Sequence, residues 1–366
     1  MLDRRRFCQI VAAGATVGLV GPARRTVGAS PLAASPATPV ASPVAGPERG
    51  ALWVQDNNMG HAGGLPPDFK AMFTTRRDEW AAARRFIDVY QLRSTSLRDP
   101  TNDLSDAFLG DAFLPLLRDA NIALSLNVVG AMGLACNVEK GATMAAEIAQ
   151  IARIARLGGR VDYLSLQSVL SKPTDVCPGY GRDEGYDHRI ADIVRYAEEL
   201  TGRFPGIRIG LVDAMVAKGW DYAPVYRQLV AALRAKNLAL DFIHLDFPAE
   251  AASPGWSNAL AAQRVIRDEL GLRFGLLYTS NDAGRTSDEA FYRAVMAAGR
   301  DFHAAGGRPD DLVVTSWHPH PAFDLPETDP TGHPFMNVVL DFARLGYVEP
   351  NPGASAPATP VATPAA

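Results

Sequence analysis

Three aspartates, Asp56, Asp213 and Asp246, each close a short run of apolar and β-branched residues. A carboxyl at the end of a buried run is partly desolvated, which raises its pKa toward the range where it exchanges a proton near neutrality. The ends of other such runs carry Arg93, Asn127, Gln167 and Asn281, and His244 lies two residues before Asp246. Ionisable acids among amide and cationic hydrogen-bonding groups fit acid–base chemistry on a polar substrate. Asp246 is the preferred acid, Asp213 the nucleophile or base, and Asp56 a third candidate. The competing account makes Asp246 a structural group that holds His244 or Arg93 in a buried polar network.

Four of the five tryptophans, Trp53, Trp220, Trp256 and Trp317, fall in or beside the same run ends. Flat aromatic faces at a polar rim stack on the apolar faces of sugar rings; the plainer account is that they pack loops. Trp220 and Trp256 follow glycines in Lys218-Gly219-Trp220 and Pro254-Gly255-Trp256, which favours exposure. His318-Pro319-His320 has the spacing that puts two imidazoles on one face of an extended segment, and with His61, His244 and Asp246 would suit a metal-dependent hydrolase. Metal-dependent barrel hydrolases place such a pair at their first strand, where this chain has none, so no metal and no cofactor is assigned. Cys136 and Cys177 either pair in an oxidising compartment or remain two thiols.

These residues need elements that gather them. The runs Ala51 to Asn57, Phe86 to Arg93, Ile122 to Val129, Val161 to Ser168, Ile207 to Asp213, Asp241 to Phe247, Arg273 to Ser280 and Leu312 to Trp317 read as eight strands. Between them lie stretches with helical period: Phe108, Phe113, Leu116 and Leu117; Ile148, Ile151 and Ala155; Ile190, Ile193, Val194 and Ala197; Val225, Leu229 and Leu233. Gly158-Gly159, Gly271, Gly306-Gly307 and Gly346 supply helix stops, and Thr286-Ser287-Asp288-Glu289 reads as a capping box. Strict alternation predicts an α/β fold with a parallel sheet, and eight units in about 300 residues suit a closed (β/α)8 TIM barrel. The rival is an open doubly wound sheet. Its nucleotide-binding form lacks a glycine-rich turn after the first strand.

A barrel of this kind builds its site at the C-terminal ends of the strands. Alternation along the sixth run places His244 and Asp246 on the barrel side, and likewise Ser125 with Asn127 and Ser165 with Gln167. Asp213 is open to either side.

With 47% hydrophobic and 21% charged residues among 366, the chain has enough apolar material for a sizeable core. A formal net charge of -4 with interspersed signs lacks the basic stripe that tracks nucleic acid. Arg4-Arg5-Arg6 before Phe7-Cys8, an apolar stretch from Ile10 to Gly21 and small residues at Val27-Gly28-Ala29 resemble a twin-arginine export signal, with Asp3 where Ser or Thr is usual and an ordinary secretory signal as the fallback. The expected organisation is an export signal over 1–29, a Pro/Ala/Ser linker over 30–49, the barrel over 50–350 and a tail over 351–366. The expected location is outside the cytoplasm, with no membrane association beyond export. The sequence leaves the oligomeric state open.

Export, a barrel, rim tryptophans and a last strand ending Ser316-Trp317 together resemble the glycoside-hydrolase-like barrel superfamily. The resemblance implies a poly- or oligosaccharide substrate with Trp317 beneath a sugar, and hydroxyls met by Arg93, Asn127, Gln167, His244 and Asn281. The main retaining glycosidases of that architecture carry glutamates at the ends of strands four and seven, where this chain has Gln167 and Asn281. An amide neither donates that proton nor forms a glycosyl ester, so hydrolysis here needs other carboxylates. Beside hydrolysis stand two other accounts: a glycan-binding barrel without catalysis, and the metal-dependent hydrolase.

Overall fold

Eight of the apolar runs form parallel strands: β1 (Ala51–Gln55), β2 (Ile87–Arg93), β3 (Ala123–Val128), β4 (Tyr163–Gln167), β5 (Arg208–Asp213), β6 (Phe242–Leu245), β7 (Arg273–Tyr278) and β8 (Asp311–Thr315). Each pairs with the next, and β8 returns to β1, Ala51 opposite Asp311 and Gln55 opposite Thr315, so the sheet closes into a (β/α)8 barrel. The open-sheet rival is thereby excluded. This is a computed structural model describing residues 50–56, 65–98, 102–132, 143–172, 179–181, 184–253 and 255–353. The expected export signal and linker, Cys136, Cys177 and His61 lie outside the described residues.

The two-residue period of each strand makes two cores. Outward residues such as Leu52, Leu92, Leu126, Leu166, Leu211 and Ile243 join the helices in the large core. Inward residues Ala51, Trp53, Val89, Val212, Phe242, Leu277 and Val313 fill the barrel. The interior is tight: a Cβ at Gly210 would come within 2.3 Å of the Phe242 ring, and one at Gly275 within 2.3 Å of the His244 ring. Glycine at these two positions makes room for the rings opposite.

The helices keep the expected faces with two shifts. In segment 106–119 a single π-turn over Leu109–Phe113 adds a residue to the turn, so Leu109, Phe113, Leu114 and Leu117 are buried while Phe108 and Leu116 are only half-buried. In helix Met144–Arg156 the buried residue of the last turn is Ile154, and Ala155 is exposed. Gly158, Gly271, Gly306 and Gly346 all take positive φ at helix ends. Ser287 is the N-cap of helix Asp288–Ala304, accepting from the Ala290 N–H at 3.1 Å, so the residue that would close a capping box is Ala290 and Glu289 pairs with Arg293 instead.

Of the tail expected over 351–366, residues 351–353 are described. Asn351 is buried, donating its amide to the carbonyls of Ile87 (3.1 Å) and Asn121 (3.0 Å), and so ties the chain end to the bottom of the barrel.

Candidate active site

The mouth is organised by β6. The Asp246 N–H donates to the Asp213 carbonyl at 2.9 Å, extending the β5–β6 ladder past Leu245, so the alternation that turns His244 inward continues to Asp246. Asp246 is half-buried, and protein surrounds its carboxyl closely enough that desolvation, then the charge of Asp213, push it up to about 6; Glu250 adds to the push and Lys218 opposes it. A carboxyl at that position on the pH scale is about half protonated at pH 6 and still exchanges a proton readily near neutrality, as a general acid must.

Around it stand hydrogen-bonding groups from neighbouring strands. Asn127 Nδ2 donates to Gln167 Oε1 at 2.7 Å, and Gln167 Nε2 donates to Ser168 Oγ at 3.1 Å. Ser168 has φ 54, a left-handed conformation that is sparse outside glycine and turns the chain sharply at the end of β4. Arg93 lies opposite Asn127 across the β2–β3 ladder. Half-buried Trp317 packs on the apolar barrel interior and donates Nε1 to Asn281 Oδ1 at 2.9 Å, an atom that also faces His318 Nε2 at 2.9 Å. One layer deeper, Ser125 and Ser165 donate to Gln91 Oε1 at 3.0 and 2.7 Å, and Gln91 donates to Gln55. This buried polar layer forms the floor beneath the mouth.

Several expected site residues lie elsewhere. Asp213 follows Ile209 and Leu211 on the outward parity of β5, and its carboxylate accepts from the Tyr226 hydroxyl (2.8 Å) and the Met215 N–H (3.1 Å), toward helix Tyr222–Arg234. It is fully buried, which raises its pKa, and it reaches the mouth only through its charge on Asp246. Asp56 follows Val54 outward in the same way and is bonded by the Tyr90 hydroxyl. His244 does point inward, but too deep to meet a ligand: it has no exposed surface, its ring centroid lies 4.7 Å from that of Trp53, edge on, and Nε2 lies 3.1 Å from Asp311 Oδ2. Burial lowers its pKa, so the neutral ring donates Nε2–H to Asp311.

The tryptophans separate similarly. Trp53 is part of the barrel filling, Nε1 donating to Asp311 Oδ1 at 2.9 Å. Trp256 packs among the outer layer, 5.8 Å from Phe247 and 5.2 Å from Phe302 between centroids. One face of Trp220 is covered by the Lys218 ammonium, 4.8 Å from the ring centre. Trp317 stands at the end of β8 with its indole N–H turned to Asn281. The two histidines after β8 diverge, His318 to Asn281 and His320 Nδ1 to Asp288, and among the described residues no three His, Cys, Asp or Glu side chains gather in a way that could hold a metal ion.

Two carboxylates escaped the sequence reading. Glu147 is fully buried and accepts from the N–H groups of Val129 (3.0 Å) and Gly130 (3.0 Å), Ser94 Oγ (3.1 Å) and the Tyr196 hydroxyl (2.7 Å), pinning the loops after β2 and β3. Its trace in the sequence was Gly130, where a Cβ would come within 2.0 Å of the carboxylate. Glu250, exposed on the loop after β6, accepts from Ser280 Oγ (3.0 Å) and the Asn281 N–H (2.8 Å). Only the pairing of that loop with β7 reveals it.

No protein-family model and no curated protein matches the chain. Among solved structures, a thermostable mutant of a xylanase from Cellvibrio japonicus is similar at TM-score 0.50 and 12% identity, over 81% of this chain and 98% of that one. A psychrophilic glycoside hydrolase family 10 endo-β-1,4-xylanase (TM-score 0.44, 12% identity, 84% of this chain and 95% of that one) and D-psicose 3-epimerase solved with D-fructose (0.42, 13%, 80% and 96%) are also similar. What the chain shares with the Cellvibrio xylanase is the (β/α)8 barrel fold.

Proposed function

We propose that the protein is an exported, carbohydrate-active barrel that hydrolyses glycosidic bonds in a poly- or oligosaccharide. The observation that carries this is Asp246: a carboxyl raised to about 6 at the C-terminal mouth of a barrel, where an acid able to protonate a departing glycosidic oxygen is needed. Trp317 offers a flat apolar face at the end of β8, and Arg93, Asn127, Gln167 and Asn281 offer the donors and acceptors that hydroxyl groups require. His244, Asp56 and Trp256 have no part in the reading, and Asp213 enters it only by adding its charge to the desolvation that raises the Asp246 carboxyl.

The amides at Gln167 and Asn281 favour a second reading, a barrel that captures glycan without cleaving it. Incubating the purified protein with a panel of polysaccharides and measuring new reducing ends separates the two. Hydrolysis predicts product that Asp246→Asn abolishes; binding without product supports capture, and product lost on adding a chelator supports a metal-dependent hydrolase. Export is tested by fractionating cells that express the full chain and a variant with Arg4, Arg5 and Arg6 replaced by lysine. The native chain is expected outside the cytoplasm and the variant inside.

A further inference from the structure

We propose that Glu250 is the second carboxylate of this site, the base that takes a proton from the attacking water while Asp246 protonates the leaving oxygen; this rests on the glycosidic reading above. The end of β7, Tyr278-Thr279-Ser280-Asn281-Asp282, carries one carboxylate, and Asp282 is exposed on the short helix that follows, 3.9 Å from Arg285. The loop after β6 lies along that strand end, the Ala249 N–H donating to the Thr279 carbonyl at 2.9 Å, and so brings Glu250 beside Ser280 and Asn281. There Ser280 Oγ and the Asn281 N–H each hold one of its oxygens, at 3.0 and 2.8 Å. Two donors on one carboxylate fix its direction, which a base acting on a single water needs.

Two further facts place Glu250 at the mouth. Asn281, whose N–H it accepts, receives the indole N–H of Trp317, so the carboxylate is one residue removed from the aromatic platform. Its charge also acts on Asp246, adding to the displacement of that carboxyl. Asp213 and Asp56, which close β5 and β1, are turned outward to Tyr226 and Tyr90, and Glu147 is committed to the N–H groups of Val129 and Gly130. Glu250 is exposed, so water reaches it.

The chemistry balances with these two groups. The water oxygen bonds to the anomeric carbon and its proton passes to Glu250. The bond from that carbon to the glycosidic oxygen breaks with its electron pair on the oxygen, which takes the Asp246 proton. Glu250 then loses a proton to solvent and Asp246 regains one. Attack by water from the face opposite the leaving group inverts the anomeric centre.

The competing role for Glu250 is mechanical, holding the N-terminus of the short helix Asn281–Gly284. Glu250→Gln keeps the size and an acceptor oxygen for the Asn281 N–H but removes the base. On a polysaccharide that the native protein cleaves, kcat should fall about 100-fold or more, with KM within about threefold and the thermal midpoint unchanged. Glu250→Ala with sodium azide should yield a glycosyl azide, a product that restoring a helix cap would not form. Glu250→Gln retaining more than a tenth of the native rate, or Glu250→Ala giving no azide product, overturns the assignment. Native protein that releases no reducing ends from any polysaccharide sinks the glycosidic reading itself. Native activity abolished by Asp246→Asn but kept by Glu250→Gln removes only Glu250.

Discussion

Asp311 and Asp246 lie on the barrel side of their strands at opposite ends of the fold, and their surroundings drive them in opposite directions. Asp311 begins β8 and is fully buried, yet it receives Trp53 Nε1, His244 Nε2 and the Arg273 guanidinium, bound through both Nε and Nη2. Burial alone would raise its carboxyl, but the His244 bond and the Arg273 charge hold it down at about 2. Asp246 follows β6 at the other end and rises to about 6 because desolvation, reinforced by the charges of Asp213 and Glu250, is opposed only by Lys218. The N-terminal end of the barrel is closed by a satisfied charge network and the C-terminal end keeps an acid poised, the division of stability and chemistry that barrels of this type show.

Removing each acid separates the two roles most sharply. Asp311→Asn leaves Arg273 and His244 without their partner and should cost about 3–5 kcal/mol in urea unfolding. Asp246→Asn should not destabilise the fold, and should stabilise it by roughly 1–2 kcal/mol at pH 7, while abolishing turnover. Equal losses from the two would erase the distinction.

The pH dependence has opposite sign at the two ends. Asp311 is depressed when folded, so its contribution is present above the ordinary aspartate range near pH 4 and is lost as pH falls through about 2. Its amount is roughly 2 kcal/mol. Asp246 is raised, so its contribution is full below about pH 4 and is lost as pH climbs through about 6. The stability of native protein relative to Asp246→Asn should therefore drop by roughly 1–2 kcal/mol between pH 4 and 7, allowing for solvent screening, and stay flat above. A flat difference across that range would show that the mouth does not perturb Asp246.

A third carboxylate tests whether depth or counter-ions make the difference. Asp324 is as buried as Asp311, but among the described residues neither of its oxygens has a hydrogen-bond partner, and burial followed by the charges of Asp56 and Asp68 raises it well above the ordinary range. The segment around it is tied down by Asp68, which accepts from the N–H groups of Asp324 (2.9 Å) and Leu325 (2.8 Å). A raised group gives its full contribution below about pH 4 and loses it as pH rises, so Asp324→Asn should stabilise the protein by about 1–2 kcal/mol at pH 8 and leave it unchanged at pH 4. A loss at pH 8 would mean that the carboxylate has a partner and that depth alone is tolerated.

The strands and the closed barrel were legible because alternation is a local property that long runs repeat: seven of the eight expected runs contain the strands that form, and the eighth, begun at Leu312, misses only Asp311 at the start of β8. The same alternation placed His244 and Asp246 on the barrel side. What it lacked was height along the barrel axis: His244 sits a layer too deep because Gly275 on β7 opens space for its ring there. Asp213 was undecided because a single terminal residue shows no period, and the hydroxyl that settles it, Tyr226, is on the following helix. Tryptophan in a glycine-containing loop was a poor guide to exposure, since Trp256 finds Phe302 across the outer layer, 45 or so residues away in sequence. Glu250 depends on a loop from one strand lying along the end of the next, a contact that no period or spacing encodes.

The smallest effects should come from the tryptophans, and they still divide the two parts of the molecule. Trp317→Phe keeps an aromatic face but gives up the Nε1 bond to Asn281, costing about 1 kcal/mol of stability or less. The loosened ring and Asn281 should weaken oligosaccharide binding about three- to tenfold by calorimetric titration. Trp256→Phe trims a packing contact against Phe247 and Phe302 at a similar cost in stability, yet should leave the same binding isotherm unmoved. If Trp256→Phe weakened binding as much as Trp317→Phe, the outer layer would be part of the ligand site, and the division between packing aromatics and a rim platform would not hold.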